Sequence, residues 1–261
     1  MATDSPRLYI VGLGVRVPDH TTMEAAAAFA RCDHIYTIVQ QPPSMWLPRD
    51  AQRVSVTNLL EMYVEGALRN ENYDRVSRRI FDALESHRTI AYVTYGNPVV
   101  YDSVTHRLIR LATDAGVAAR IIPCVSSIDT LLCDLEVDMA PGLQVYEASW
   151  MVAAEVTLNV STAVILVQLG TFGSLRAHYR QRPTARSLVP LSEYLQAFYP
   201  PSHLVALVCS GSPQGGAKLR RVALSDLPNV GDAELLGGSL YIPALASAGP
   251  KPEILSRMTQ S

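Results

Sequence analysis

Apolar and polar positions divide the first half of the chain into short, regular pieces. Arg7-Leu8-Tyr9-Ile10-Val11 is a short apolar strand that ends in Gly12-Leu13-Gly14. Thr22 offers a hydroxyl N-cap, and a helix is predicted from there through Met23 to Ala30. His34–Val39 reads as a second strand, and a β-α-β opening of this kind predicts a parallel sheet. Between Gln40 and Asn72 the pattern breaks into a Pro-rich loop and a polar stretch. A helix resumes at Asn72-Tyr73, where Tyr73, Val76, Ile80 and Leu84 recur on one face and Arg69 lies one turn earlier.

Thr89–Val93 then reads as a buried strand and Val104–Leu111 as a helix. Between them lies Thr94-Tyr95-Gly96-Asn97-Pro98-Val99-Val100-Tyr101, a turn at a strand exit, where open α/β sheets place their ligands. Glycine there lets another molecule approach the backbone, and proline removes a donor and fixes the path. On spacing alone an ordinary β-to-α connection accounts for it equally well. Ala119–Ile122 is another strand, leading through Pro123-Cys124-Val125-Ser126-Ser127 into a helix that reaches Leu132. Ser126 and Ser127 either hold an anion at that helix start or simply cap it.

After Glu147-Ala148-Ser149 the texture changes, and Met151–Val160 reads as a linker. Thr162–Val167 is a strand that ends in Gln168-Leu169-Gly170, Ser187–Phe198 a helix and His203–Cys209 a strand. A Gly/Ser/Pro turn follows at Ser210–Gly216, then two strands near Leu219–Leu224 and Leu240–Leu245. The expectation is an α/β protein of two domains. Residues 1–150 would carry a mostly parallel sheet and residues 151–261 a mixed one, with a ligand cleft between them.

Composition narrows the functional classes. Apolar residues are 48% and charged residues 18% of 261, a globular balance with ample length for a core. Twenty-two Lys+Arg against 24 Asp+Glu give a net charge of -2 without a basic run, so phosphate-driven nucleic-acid binding is unsupported. No secretory signal is visible at Met1–Pro6, and no apolar run approaches a membrane span. Cys32, Cys124, Cys133 and Cys209 are scattered without Cys-x-x-Cys spacing, which argues for structural thiols in a reducing cytoplasm and against a metal site. The Gly12-x-Gly14 strand end lacks the third glycine of a dinucleotide fingerprint, and Arg16-Val17-Pro18-Asp19 makes a loop instead, which argues against NAD.

Gly12-x-Gly14, Tyr95-Gly96-Asn97-Pro98 and Pro123–Ser127 occur in the order found in the tetrapyrrole methylase family, the class III S-adenosylmethionine (SAM) methyltransferases, which this chain resembles over nearly its whole length. The usual Asp of the central turn is Asn97 here, and the usual Gly-x-Gly-Pro-Gly opening is Gly12-Leu13-Gly14-Val15-Arg16. Within the family the chain is most similar to the borosin branch, which methylates backbone amide nitrogens. Tyr63, Arg69-x-x-x-Tyr73 and Tyr95-Gly96-Asn97-Pro98 match that branch's tyrosine, Arg-x-x-x-Tyr and Tyr-Gly-His-Pro, with Asn97 in the place of histidine. Glu147-Ala148-Ser149 also resembles a stretch of that branch.

The resemblance implies two α/β domains, SAM as cofactor without a metal, a homodimer and a free-standing enzyme acting on a separate precursor peptide. It implies that Gly12, Pro98, Val99, Tyr101, Ser126, Ser127, Gln168, Leu169, Gly238, Ser239 and Leu240 hold SAM, and that Tyr63, Arg69, Tyr73 and Tyr95 are catalytic. An amide N–H is a very poor acid. Arg69 would stabilise an imidate-like oxygen, and a tyrosine whose ordinary pKa near 10 is lowered by that guanidinium would take the proton. Which tyrosine does so is left open. Two other readings stand beside this one: a C-methyltransferase acting on a precorrin- or uroporphyrinogen-type tetrapyrrole, and a non-catalytic SAM- or partner-binding module.

Overall fold

Short strands separated by amphipathic helices organise the residues that the computed structural model describes, which are 6–178, 184–210, 216–235, 237–245, 249 and 251–258. In the first half these are β1 (Leu8–Gly12), α1 (Met23–Phe29), β2 (His34–Thr37), β3 (Ser55–Asn58), α2 (Arg69–Asp82), β4 (Ile90–Thr94), α3 (Ser103–Asp114), β5 (Ala119–Ile122) and α4 (Ser127–Leu135). The strands form one sheet in the order β3-β2-β4-β1-β5, every pair parallel. β1 and β4 lie at its centre with all their residues buried, as continuous apolar runs in a parallel sheet require. Thr22 caps α1 as expected, its hydroxyl accepting from Ala25 N. On one face of the sheet Phe29, Trp46 and Ile35 pack together, and on the other Val76, Ile80 and Leu84 pack on Ile10 and Tyr92. The expected stripe of α2 is therefore its core face.

The second half contributes β6 (Leu143–Glu147), α5 (Ala148–Ala153), β7 (Ala163–Val167), α6 (Val189–Gln196), β8 (Leu204–Cys209), β9 (Lys218–Ala223), β10 (Ser239–Ile242) and α7 (Pro252–Met258). Its sheet has the order β6-β7-β10-β8-β9, with β6 and β7 parallel and the other pairs antiparallel, so it is mixed as expected. The turn expected at Ser210–Gly216 lies mostly outside the described residues.

Two compact units result. One comprises Met1–Leu135, Ser174–Gln181 and Ser210–Gly216, the other Glu136–Gly173, Arg182–Cys209 and Ala217–Ser261. The division near residue 150 thus falls at Leu135, because β6 pairs with β7 and not with the first sheet. The linker expected over Met151–Val160 is not one, since Met151 and Leu158 are core residues of the second unit. Four further elements were absent from the sequence pattern: β3, an edge strand with half-exposed residues, the half-buried β6, the short α5, and α7.

Candidate functional site

In the first unit the three family-like segments meet at the C-terminal edge of the sheet's central strands. Gly14 and Gly96 exchange backbone hydrogen bonds, at 3.1 and 3.0 Å, so the ends of β1 and β4 are tied together. Gly12 has no room for a side chain. A Cβ there would lie 2.3 Å from Gly96 O and 2.8 Å from Pro98 Cδ in the turn after β4, and 3.0 Å from Cys124 Cβ after β5. Cys124 is fixed in turn by its thiol, which donates to His20 O at 2.8 Å.

The turn itself faces outward. Gly96 has φ +67°, and a Cβ there would meet nothing within 4 Å. Asn97 Oδ1 accepts from Val99 N at 3.2 Å, an Asx turn that asparagine closes as well as the aspartate of the commonest family form. Tyr95, Val99 and Tyr101 leave apolar surface exposed around it, at 49, 43 and 38%. An open glycine backbone flanked by exposed apolar side chains, at the carboxyl edge of a parallel sheet, is a surface fitted for a small organic ligand.

Asp102 anchors the far end of the turn. Its carboxylate accepts four hydrogen bonds: from Val104 N and Thr105 N of α3, from the Thr105 hydroxyl and from the Tyr92 hydroxyl at 3.0 Å. Tyr92 is fully buried, and burial followed by the Asp102 charge pushes its pKa well above the usual tyrosine value. Tyr101, directly before Asp102, sits at φ +58°, a conformation that a non-glycine residue keeps only when its surroundings impose it. We expect Asp102→Ala to cost about 2–4 kcal/mol in denaturant unfolding, through the lost cap and the stranded Tyr92 hydroxyl.

Ser126 forms a reciprocal cap with Asp129. Its hydroxyl donates to Asp129 Oδ2 at 2.7 Å and accepts from Asp129 N at 3.2 Å, while its own N–H reaches the same carboxylate at 2.6 Å. Of the two roles open to it from sequence, the helix cap is the one its hydroxyl performs. Ser127 is the first residue of α4.

The residues matched to catalysis gather mainly around α2. Arg69 Nε donates to the Tyr73 hydroxyl oxygen at 3.1 Å, across one helical turn. Tyr63 and Tyr73 meet edge to face, their ring centroids 6.3 Å apart. The loop that carries Tyr63 is held by Asn72, which is fully buried. Its Oδ1 accepts from Val64 N at 2.9 Å and its Nδ2 donates to Val64 O at 3.1 Å. Arg75 Nη1 donates to Met62 O at 3.1 Å, on the other side of Tyr63.

A strap from much later in the chain completes this group. Arg69 N donates to Leu175 O, Gly66 N to Ala177 O and Ala177 N to Ala67 O, while the Arg176 guanidinium reaches Gly66 O at 2.7 Å. The strap satisfies an orphan N–H at the start of α2, where Leu68 offers no side-chain cap. This is why α2 begins at Arg69 and not at Asn72. On its other side Tyr73 faces Arg107 of α3, a residue without a place in any sequence motif. Tyr95 belongs to the turn at the exit of β4.

In the second unit Gln168, Leu169, Gly238, Ser239 and Leu240 lie at one end of the sheet. The register Leu240↔Leu166 sets the start of β10 beside the end of β7, from which Gln168 leaves in the left-handed conformation at φ +63°. Gly238 is confined, since a Cβ would lie 2.6 Å from Glu234 O.

Two histidines of the first unit make it sensitive to acid. His20 Nδ1 accepts from Val15 N and Arg16 N, both at 3.2 Å, which only an unprotonated nitrogen can do. Burial, followed by the Arg16 charge and partly offset by Asp19, holds His20 below the ordinary histidine value. His34, whose ring lies tilted against those of Tyr36 and His87, is lowered by burial, then by His87 and Arg79. Folded values below the unfolded value near 6.5 mean that the neutral forms favour the fold. Their contribution is complete above about pH 6.5 and is lost as pH falls through the folded values. Melting curves should show a lower Tm at pH 5 than at pH 7.5, and His20→Gln should lessen the drop.

A cavity of about 860 Å³ opens at the opposite, amino-terminal edge of the first sheet, among Arg7, Arg31, Asp33, Arg88 and Arg120. Two of its arginines serve the fold: Arg7 donates to the carbonyls of Leu84, His87 and Arg88, and Arg120 pairs with Glu24. Among the described residues no group of three or more His, Cys, Asp or Glu could hold a metal, and no helix is long and apolar enough to cross a membrane.

The family model for tetrapyrrole (corrin/porphyrin) methylases matches residues 7–223, and the chain belongs to that family, which makes it a methyltransferase by class. Uroporphyrin-III-C-methyltransferase from Thermus thermophilus shares the fold, with a TM-score of 0.60 at 16% identity and 91% of each chain covered. So does the precorrin-6Y methylase of Archaeoglobus fulgidus, at 0.60 and 18%, over 93% of this chain and all of the other. Among curated relatives, the methyltransferase/type III borosin cyclic peptide precursor of Anomoporia bombycina is 26% identical over 85% of this chain and 26% of its own length. The corresponding type II borosin precursor of Phlebiopsis gigantea is 26% identical over 92% of this chain and 43% of its own length. The chain thus spans about a quarter to less than half of these two relatives.

Proposed function

We propose that the chain uses SAM to methylate backbone amide nitrogens of a peptide offered as a separate molecule, and that it works as a homodimer. The observation that carries this reading is the Arg69–Tyr73–Tyr63 group on and beside α2, whose backbone is held by a buried asparagine and by the strap that starts the helix. The names of the relatives, which couple a methyltransferase to a peptide precursor, support a peptide as substrate.

SAM, when bound, supplies an electrophilic methyl group on a sulfonium. Gly12, Pro98, Val99, Tyr101, Ser126 and Ser127 are the residues of the first unit that would hold it. The open Gly96 backbone and its apolar surround fit such a ligand.

A guanidinium has donors only, so in the Arg69–Tyr73 bond the tyrosine oxygen accepts. That bond strengthens when Tyr73 is a phenolate, because charge-assisted hydrogen bonds are the stronger ones. We therefore assign Tyr73 as the proton acceptor. With the phenol proton of Tyr73 given up to solvent beforehand, the amide proton passes to the phenolate oxygen, the nitrogen takes the methyl, and the electrons of the broken C–S bond stay on sulfur, which leaves as S-adenosylhomocysteine. Arg69, through the permanent charge of its planar guanidinium, steadies the charge that develops on the amide oxygen. Tyr63 completes the pocket wall, and Tyr95 borders the turn.

The test is a transfer assay with methyl-labelled SAM, offering a randomised dodecapeptide library and uroporphyrinogen III in parallel. Label in the peptides is the expected result. Label in the macrocycle alone would overturn the reading in favour of tetrapyrrole C-methylation.

A further inference from the structure

We propose that Arg107 is a positioning residue for Tyr73, holding its ring in place and setting a second positive charge against it while it receives the amide proton. The proposal rests on the reading of Tyr73 as proton acceptor.

Arg107 projects from α3, and its Cζ lies 5.5 Å from the centroid of the Tyr73 ring. Arg69 approaches the same residue at its oxygen, 3.1 Å away. One tyrosine is thus flanked by two guanidinium groups carried on different helices. Tyr63 meets the ring edge from the loop before α2. Asp102, at the start of α3, is engaged by Tyr92, Thr105 and the helix N-terminus. Asp74, on α2, is the carboxylate that Arg107 binds, and it is 57% exposed.

The Arg107 guanidinium is immobilised. Nε donates to Asp74 Oδ1 at 2.5 Å, Nη2 to Asn70 Oδ1 at 3.0 Å and Nη1 to Ser103 O at 3.2 Å. Three donors on three acceptors fix the plane of the fork, so no rotamer freedom is left to lose when the ring changes charge. The side chain is 16% exposed, which keeps water from screening its charge as fully as at an open surface.

The effect on rate follows from how this contact changes during reaction. Over a neutral ring a cation meets only the ring quadrupole. Over a ring that has become negative it meets a full opposite charge as well. An interaction that strengthens as the reaction proceeds raises kcat, whereas one equal in both states does not. A residue that merely fastened α2 to α3 would be of the second kind.

Four proteins separate the two cases: wild type, Arg107→Met, Arg107→Lys and Asp74→Asn. They are compared in kcat, in KM for SAM and for the dodecapeptide library, and in Tm. Arg107→Met should lower kcat about tenfold with both KM values within about twofold. Arg107→Lys should recover most of that loss. Asp74→Asn weakens the same link between helices but removes a negative charge beside the guanidinium, and should keep or raise kcat. If Arg107→Met and Asp74→Asn instead lose activity together, in step with Tm and without rescue by lysine, Arg107 is an architectural bridge and the proposal is overturned. Unchanged turnover in Arg107→Met beside an active wild type overturns this proposal alone. A wild type that transfers no methyl to peptide overturns the reading on which it rests, and this proposal with it.

Discussion

Arg69→Ala should lower peptide methylation by roughly two to three orders of magnitude while SAM affinity and Tm stay near the wild-type values. The separation follows from what each part of Arg69 does. Its backbone N–H is held by Leu175 O and is untouched by the substitution. Alanine is also the better helix former at the first position of α2. What is lost is the guanidinium, which donates to Tyr73 and, in the proposed reaction, carries the developing negative charge. Lysine in its place would restore the charge but not the planar fork, so Arg69→Lys should recover only part of the rate. Paired fluorescence titration with SAM and turnover measurements would check the split. Equal activity in Arg69→Ala would remove Arg69 from the mechanism.

Gly12→Ala should have a large effect on folding. The new methyl group has no low-cost way to be accommodated, because its nearest neighbour at 2.3 Å is a backbone carbonyl and the next, at 2.8 Å, is the ring of Pro98. Either β1 or the Gly96 turn must shift, and the paired hydrogen bonds between Gly14 and Gly96 break with it. Overpacking of this kind, with backbone as the obstacle, costs about 3 kcal/mol. For a protein of this size that corresponds to a fall in Tm of roughly 6–12 °C. SAM binding should be lost in parallel, since the turn is the surface proposed to receive it. Gly96→Ala is the contrasting variant. A Cβ there meets open space, and only the strain of φ +67° opposes it, at about 1 kcal/mol.

How much of this was legible in the sequence depended on whether the cause was local. β1, β4 and β7 are apolar runs bounded by polar residues, and their burial could be read from residue type alone. The core face of α2 followed from spacing. The start of α2 did not, because its cap is a carbonyl of Leu175, about a hundred residues away. For the same reason Arg107 escaped notice: nothing in Val104–Leu111 marks one arginine as facing a tyrosine on another helix. β3 is an edge strand of four residues with half-exposed side chains, too short and too polar for an alternating pattern to register. The linker expected over Met151–Val160 misled for a different reason. Seven of its ten residues are apolar: Met151 and Leu158 are buried in the core, and Val152, Val156 and Val160 pack against it. Asn97 shows the opposite case, a departure from the family pattern that changes little, because the turn needs only a side-chain oxygen.

The most direct test of the central claim is to locate the methyl group. Peptide recovered from the assay with labelled SAM would be fragmented by tandem mass spectrometry. The account predicts the added mass within the backbone, on a residue whose side chain can carry no methyl, such as glycine or alanine, and its absence from product made by Arg69→Ala. A methyl group found only on side-chain or terminal nitrogen would contradict it.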